Sequence, residues 1–497
     1  MQSYILGVDI GTGSTKAVAV NFAGEALEGS QHYYPVKAPK PGYSEQDPEV
    51  ILTAFVSCIT EVIKRIGYAP VAISLSSAMH SVIAVDKAGN ALSDMITWAD
   101  ARSEEIASDL RNSAQGPAIY LASGTPIHAM TPLCKIMWLR KNEPLLFSNT
   151  YKFISIKEYI WHYLFGVFEV DYAIASATGL FNINTLQWNS AALILAGIKE
   201  NNLSEPVNTT HQRVGLSGKA AEDLKLPPET CFVTGASDGC CANLGSFVTT
   251  PDTASLTIGT SGAVRITSPR AIPDFEAMIF NYLLDEKTFV CGGAVNNGGI
   301  ILNWLIKNFL GKMQPVAEDY LSVFETITAV APGSAGLIFL PYLYGERAPL
   351  WDTKSCGVFF NIKPEHTQAH FLRAGLEGIC FALNDVLQTL EKSSPGIRIL
   401  NISGGFITSP VWKQILADIT GKELIITQQE DASAIGAVFL AMEALSIQLP
   451  EKNKSTVSTM DTVPIPQHHE KYLKSFQVFR KLYSDLRETM HAVHDLE

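Results

Sequence analysis

Leu6-Gly7-Val8-Asp9-Ile10-Gly11-Thr12-Gly13-Ser14-Thr15-Lys16-Ala17-Val18-Ala19-Val20 decides how the rest of the chain is read. Two apolar runs of β-forming residues flank Gly, Thr and Ser, the pattern of a hairpin with a tight turn. Gly11 and Gly13 let the backbone bend sharply and let a ligand approach it. The turn gathers bare N–H groups, hydroxyls and the Lys16 ammonium in one concavity, a receptor for phosphate oxygens. Asp9 is out of place between Val8 and Ile10, because a carboxylate is seldom buried without a partner. Either it meets a backbone amide of an ordinary Gly-rich hairpin, or it faces Mg²⁺ beside a phosphate, since that ion prefers such oxygens.

Leu256-Thr257-Ile258-Gly259-Thr260-Ser261-Gly262-Ala263-Val264-Arg265-Ile266 repeats the strand, Gly-Thr turn and strand. Two phosphate-type turns, one per half, suggest a duplicated α/β fold with a nucleotide held between the halves. The composition shift at Thr249-Thr250-Pro251-Asp252 divides the chain into an N-terminal unit, 1–248, and a C-terminal unit, 249–497.

The 497 residues suffice for two or three domains, and 47% hydrophobic with 17% charged residues describes a globular chain. Thirty-seven basic against 49 acidic residues give −12, with no basic run interleaved with aromatics, which argues against nucleic acid. Eight cysteines without CxxC spacing fit reduced, buried thiols of a cytoplasmic enzyme. No basic leader precedes the hairpin and no apolar run has bilayer length, so no membrane segment is expected. No GxxxxGK[ST] loop occurs.

Asp47, Pro48 and Glu49 start a helix whose apolar face runs from Ile51 to Ile66 and ends at Gly67. Val71 to Leu75 is a buried strand that delivers Met79 and His80 beyond its carboxyl end, where ligands of open α/β sheets gather. Trp98, Asp100 and Arg102 concentrate a flat apolar face, an acceptor and a donor. Arg102 either pairs with Asp100 or Glu105 on the surface or serves a polyhydroxylated ligand. Thr125, His128 and Met130 lie on a second Pro-braced loop. Cys231 to Gly235 is a strand that brings Asp238 to the start of a small-residue helix, as a helix N-cap or as a general base. Gly292 to Gly299 opens a helix, by binding phosphate on free N–H groups or by close backbone packing. Ile399 to Ser403 leads into Gly404-Gly405, which suits a nucleoside lying against backbone. Leu424 to Thr427 and a helix near Ala432 to Leu445 are expected to complete the second core. Residues 450–467 read as a polar linker that includes His468-His469 at its edge, and 469–491 as an exposed amphipathic helix.

DIGTGSTK at 9–16, WADAR at 98–102, ASDG at 236–239, TIGTSG at 257–262, GERAPLWD at 345–352 and SGGF at 403–406 occur in one order that resembles the FGGY carbohydrate kinases. That resemblance implies two duplicated actin-like, ribonuclease-H-like ATPase domains with a catalytic cleft between them. It further implies ATP and Mg²⁺, with Thr12, Gly13 and Thr260 at the phosphates and Asp9 at the metal. Gly299, Asn303, Gly405 and Ser409 would line the nucleotide pocket. Ser409 departs from the Asn that glycerol kinases carry there. Met79, His80, Trp98, Met130 and Asp238 would face the sugar, with Asp238 as base. GYSEQDPE, SSAMHSVIAVD, TWADAR and TGTPIHAMTPL are similar to stretches of gluconate kinases, which implies D-gluconate as acceptor and 6-phospho-D-gluconate as product. A xylulose or polyol kinase is the alternative within the family, and an actin-like ATPase without a sugar acceptor lies outside it. A homodimer is left open.

Overall fold

Both hairpins form, and each seeds a six-stranded mixed sheet. In the computed structural model, which describes residues 3–427, 431–449 and 461–496, the two sheets share one plan. The first runs, in spatial order, Gln212–Arg213, Cys231–Ser237, Ala72–Ser77, Tyr4–Ile10, Ser14–Asn21 and Ala26–Tyr33. The second runs Phe280–Leu283, Phe289–Val295, Gly262–Ser268, Thr253–Ile258, Ile399–Ser403 and Glu423–Ile426. In each, three antiparallel strands begin at the hairpin and two parallel strands extend the other side. Parallel strands require crossover connections, and these carry the helices that cover the faces.

The helix Pro48–Ile66 forms as its sequence demands. The Asp47 carboxylate accepts from the Glu49 N–H, Pro48 opens the first turn, and Gly67 closes it at φ 89°. Its apolar stripe of Ile51, Phe55, Ile59 and Val62 packs on the first sheet. Four strands of these sheets escaped the sequence reading: Ala26–Tyr33, Gln212–Arg213, Phe280–Leu283 and Phe289–Val295. Ala26–Tyr33 is mostly solvated and lacks an apolar run. Phe289–Val295 holds Gly292 and Gly293, whose glycines serve close approach: a Cβ on Gly292 would lie 2.3 Å from the Val264 carbonyl oxygen.

The helix Ala432–Ala444 does not complete the second core. Its residues Ala434, Ile435, Val438, Phe439 and Met442 pack on Ile5, Val18, Val20 and Val233 of the first sheet. It also crosses the helix Asp238–Gly245 with backbone against backbone. A Cβ on Gly436 would sit 1.9 Å from the Cys241 carbonyl oxygen, and one on Gly245 would sit 2.0 Å from that of Ala432. Gly436→Ala is therefore expected to cost roughly 3 kcal/mol, the upper part of the overpacking range, read as a lowered urea midpoint.

The C-terminal helix spans Pro466–His494 and buries Tyr472, Phe476, Phe479, Leu482 and Met490 on the second core. It is amphipathic as expected, but it is docked rather than free. His468 and His469 lie in its first turn, not in a solvated linker: their Nδ1 atoms lie 2.9 Å from Asp418 Oδ2 and 2.8 Å from the Asp418 carbonyl oxygen. Of the expected linker, residues 450–460 lie outside the described residues. Among the described residues no helix is long and apolar enough to cross a membrane.

Candidate active site

The two hairpin turns face a common depression. Gly11 N–H donates to the Ser14 carbonyl at 3.0 Å and closes the first turn. The turn's own carbonyls are occupied from outside. Tyr34 Oη donates to the Gly11 oxygen at 2.5 Å and Gln46 Nε2 to the Thr12 oxygen at 2.7 Å. In the second turn Gly259 N–H donates to the Ser261 carbonyl at 2.8 Å. The Gly259 carbonyl in turn accepts the Gly299 N–H at 2.7 Å, and the Thr260 carbonyl accepts that of Ile300 at 3.2 Å. The start of the helix Gly299–Leu310 thus braces the second turn, and the Gly299 N–H is spent there rather than free for phosphate.

A cavity of about 370 Å³ gathers Thr12, Met79, His80, Trp98, Met130 and Asp238. All five residues expected to face the sugar meet there, with the first turn's threonine. Residues of the second half close it: Arg265, Phe280, Tyr282, Arg347 and Trp351, together with the second turn. A larger compartment of about 880 Å³ shares Asp238, Gly239, Thr257 and Arg265 with it and adds Asp9, Lys16, Gly404 and Asp431. Thr260, Gly299, Asn303, Gly405 and Ser409 are lining residues of neither cavity. The Ser409 hydroxyl accepts from the Trp412 N–H as the N-cap of Pro410–Thr420, and Asn303 Oδ1 accepts from the Tyr320 hydroxyl. Gly405 has open space where a Cβ would stand.

Asp238 is the first residue of its helix, not the cap. Ser237 holds that position and accepts from the Cys240 N–H. The Asp238 carboxylate accepts from the Gly239 N–H at 2.7 Å, and burial pushes its carboxyl above the usual range. Asp9 shares that environment. Burial first, then the charge of Asp238, lift it to about 6, against the Ser76 hydroxyl that donates to it at 2.7 Å. Asp9 therefore does not rest on a backbone amide. Asp431, just before the helix Ala432–Ala444, pairs with Lys16. Among the described residues no three His, Cys, Asp or Glu side chains cage a metal. One or two carboxylates suit Mg²⁺, which keeps waters and phosphate oxygens as its other ligands.

Arg102 pairs with Asp100 and Glu45, but in the interior rather than on the surface. Its Nη2 reaches Asp100 Oδ2 at 2.7 Å and Glu45 Oε1 at 2.5 Å, with the guanidinium 3.8 Å from the Tyr43 ring centroid. Asp100 also accepts from the Ser44 N–H at 2.7 Å. These contacts shape the loop that presents Trp98, whose Nε1 donates to the Thr12 hydroxyl at 2.9 Å. Lys135, buried, donates to the carbonyls of His80 and Thr97 at 2.6 and 2.7 Å and so ties together the loops that carry His80 and Trp98. Desolvation holds its ammonium down to about 7.

His80, at φ 68°, has Nδ1 2.8 Å from the Ala177 carbonyl oxygen and Nε2 3.2 Å from the Tyr282 hydroxyl. His128 lies beside Trp351 at 5.4 Å between ring centroids. Burial holds both imidazoles down to about 3, from 6.5, with the nearby cations Lys135 and Arg347 adding to it. The folded-state values are depressed, so the unfolded chain binds more protons between about 3 and 6.5, and stability falls as pH falls through that window. At about pH 5 each histidine is expected to cost about 2 kcal/mol. His128→Gln should narrow the drop in urea midpoint between about pH 7 and about pH 5.

Arg265, Arg347, Tyr282 and Asp431 were not singled out from the sequence. Arg265 carried a signal, since a guanidinium between Val264 and Ile266 is as anomalous in a strand as Asp9 between Val8 and Ile10. Asp431 carried a second, because an Asp before a small-residue helix repeats the arrangement at Asp238.

Residues 4–245 match the model of the FGGY family of carbohydrate kinases, N-terminal domain, and 254–445 its C-terminal domain. A gluconokinase of Bacillus subtilis is 40% identical over 455 residues, covering 89% of this chain and 88% of its own. The crystal structure of gluconate kinase from Lactobacillus acidophilus superposes with a TM-score of 0.90 at 32% identity, over 98% of both chains. The ligand-bound xylulose kinase from the same organism gives 0.91 at 32% identity, again over 98% of both. Two matched sheets, two hairpin turns and a family match to both halves lead to one conclusion: the chain belongs to the FGGY family of carbohydrate kinases.

Proposed function

We propose that the protein transfers the γ-phosphoryl group of ATP to the 6-hydroxyl of D-gluconate, in a catalytic cleft between two domains divided at residues 249–252. The observation that carries the reaction type is the position of Asp238, which borders both the small cavity and the larger compartment. A sugar hydroxyl in the first and a phosphate chain in the second meet at that carboxylate. Asp238 is the general base, and its raised affinity for a proton, caused by burial, suits it to accept one from the hydroxyl. Met79, His80, Trp98 and Met130 orient the sugar. The amides of both turns, with Thr12, Gly13 and Thr260, hold phosphate oxygens, because phosphoryl transfer is mainly positioning and charge neutralisation. Gly404 and Gly405 leave backbone open to the nucleoside, with Gly299, Asn303 and Ser409 supporting that side of the second domain. Mg²⁺, held from Asp9 through oxygen ligands, would neutralise charge on the phosphates.

D-Gluconate as acceptor rests on the similarity to the two gluconate kinases. Xylulose is the second reading, favoured by the equal likeness to the Lactobacillus acidophilus xylulose kinase. ADP release from Mg·ATP, measured with gluconate, xylulose, ribulose and glycerol, tests both. Stimulation by gluconate with a 6-phosphorylated product supports the proposal. Stimulation by xylulose alone replaces the acceptor, and ATPase activity indifferent to every acceptor removes the kinase.

A further inference from the structure

The cleft contains two guanidinium groups, and they are not equivalent. Arg347 is already seated: its Nε donates to Asn296 Oδ1 at 2.7 Å and its Nη2 to the Val295 carbonyl at 3.2 Å. Arg265 lines the same cavity, yet its side chain donates no hydrogen bond to any described residue. The Asp238 carboxylate takes the Gly239 N–H on Oδ1 and meets Arg265 through its charge, without a hydrogen bond between them. Opposite Arg265 in the sheet stands Gly292, where a Cβ would come within 3.1 Å of Arg265 Cα and 2.7 Å of the Phe280 ring. Arg265 is half-buried at the cavity wall, and a cation so placed gains from an acceptor that can bond to it. Its placement between Val264 and Ile266, with no hydrogen-bond acceptor, calls for an anionic ligand.

Every other cation near the cleft that the sequence offers to an acid is engaged or uncharged. Lys16 pairs with Asp431, and Arg102 with Asp100 and Glu45. Lys135 is spent on two carbonyls. His80 and His128 are neutral at ordinary pH.

We propose that Arg265 receives the carboxylate of the sugar-acid acceptor and makes this pocket prefer an acid to a neutral sugar, an assignment that rests on the gluconate reading above. Arg265 also borders the larger compartment, so the same anion chemistry is offered by the phosphoryl group in transfer. The carboxylate is favoured because the side chain stands with Phe280 and Tyr282, which belong to the sugar cavity alone. It also lies well past the turn Gly259–Ser261, whose amides serve phosphate.

Initial rates for the wild type, Arg265→Gln and Arg265→Lys, with gluconate and with gluconamide, separate these roles. Gluconamide keeps the polyol chain and replaces the carboxylate by a neutral amide. The wild type should prefer gluconate. In Arg265→Gln, kcat/KM for gluconate should fall roughly 10²-fold, mainly through KM, and the preference over gluconamide should collapse. Arg265→Lys should recover part of the preference, and KM for ATP should stay near the wild-type value in both. Equal losses on both acceptors with a raised KM for ATP would reassign Arg265 to the phosphoryl group. Equal losses with KM for ATP unmoved would make it a counter-charge for Asp238. Either result overturns the proposal, as does an intact preference in Arg265→Gln. A wild type inactive on gluconate would overturn the acceptor reading itself and this proposal with it. ADP binding, followed by tryptophan fluorescence, reports whether each variant is folded. Should Arg265→Gln not fold, Arg265→Met decides: an unaltered gluconate to gluconamide ratio there overturns the carboxylate assignment.

Discussion

Asp238→Asn should lower kcat by roughly 10²–10⁴, the span a positioned general base contributes, while ADP still binds. Asn has nearly the same shape and keeps an oxygen for the Gly239 N–H, so the local hydrogen bond survives. What disappears is the capacity to accept the hydroxyl proton. The helix should be undisturbed, because its cap is the Ser237 hydroxyl. This separates the catalytic role from a structural one: a capping Asp would lose stability on substitution, with activity following stability. Removing one of two mutually repelling buried carboxylates also lets Asp9 ionise more easily. Equal unfolding midpoints with a kcat reduced at least about 10²-fold are therefore expected. Near-normal turnover would remove Asp238 from the chemistry.

The hairpins, the helix Pro48–Ile66 and the strand-end positions of Met79, His80 and Asp238 were legible because their signals are local. Gly in a turn, Asp-Pro before an apolar stripe and a polar residue after a buried run each act within a few residues. Met79, His80 and Asp238 converge because the parallel strands Ala72–Ser77 and Cys231–Ser237 end on the same edge of their sheet. Contacts made over long separations were not legible. Ala432–Ala444 is small and apolar on nearly every side, so nothing in its pattern says which sheet it covers. Its one glycine, Gly436, finds its partner only once the helix Asp238–Gly245 is in place. The Gly292–Gly299 stretch stayed open between phosphate binding and close packing for a related reason, and close packing is what it shows. Glycines that admit a phosphate and glycines that admit a neighbouring strand look alike, and only packing separates them. His468 and His469 resembled linker residues because Asp418, their anchor, lies some fifty positions earlier.

Lys157→Met should lower the unfolding free energy by about 3–5 kcal/mol, the usual consequence of removing one partner of a buried ion pair. Lys157 lies in the first turn of the helix Ile156–Phe165, and its Nζ donates to Asp171 Oδ2 at 2.7 Å and to the Ala236 carbonyl at 2.9 Å. Both ends of the pair are almost fully covered. Met has a similar length and fills the space, so the loss comes from the uncompensated carboxylate and the released carbonyl, not from a cavity. Asp171 cannot turn to another cation, because its Oδ1 caps the helix Tyr172–Ser176 through the Ile174 N–H at 3.1 Å. The double variant Lys157→Met/Asp171→Asn should recover most of the stability, since the cap oxygen remains and no buried charge is left unpaired. Activity adds a second readout. Ala236 lies on the strand Cys231–Ser237, two residues before Asp238, so the single variant loosens the segment that leads into Asp238. The double variant restores the charge balance but not the hydrogen bond to Ala236. If Lys157 positions Asp238 as well as stabilising the fold, kcat of the double variant should stay below the wild type after the urea midpoint has returned. Recovery of both together would confine Lys157 to the fold.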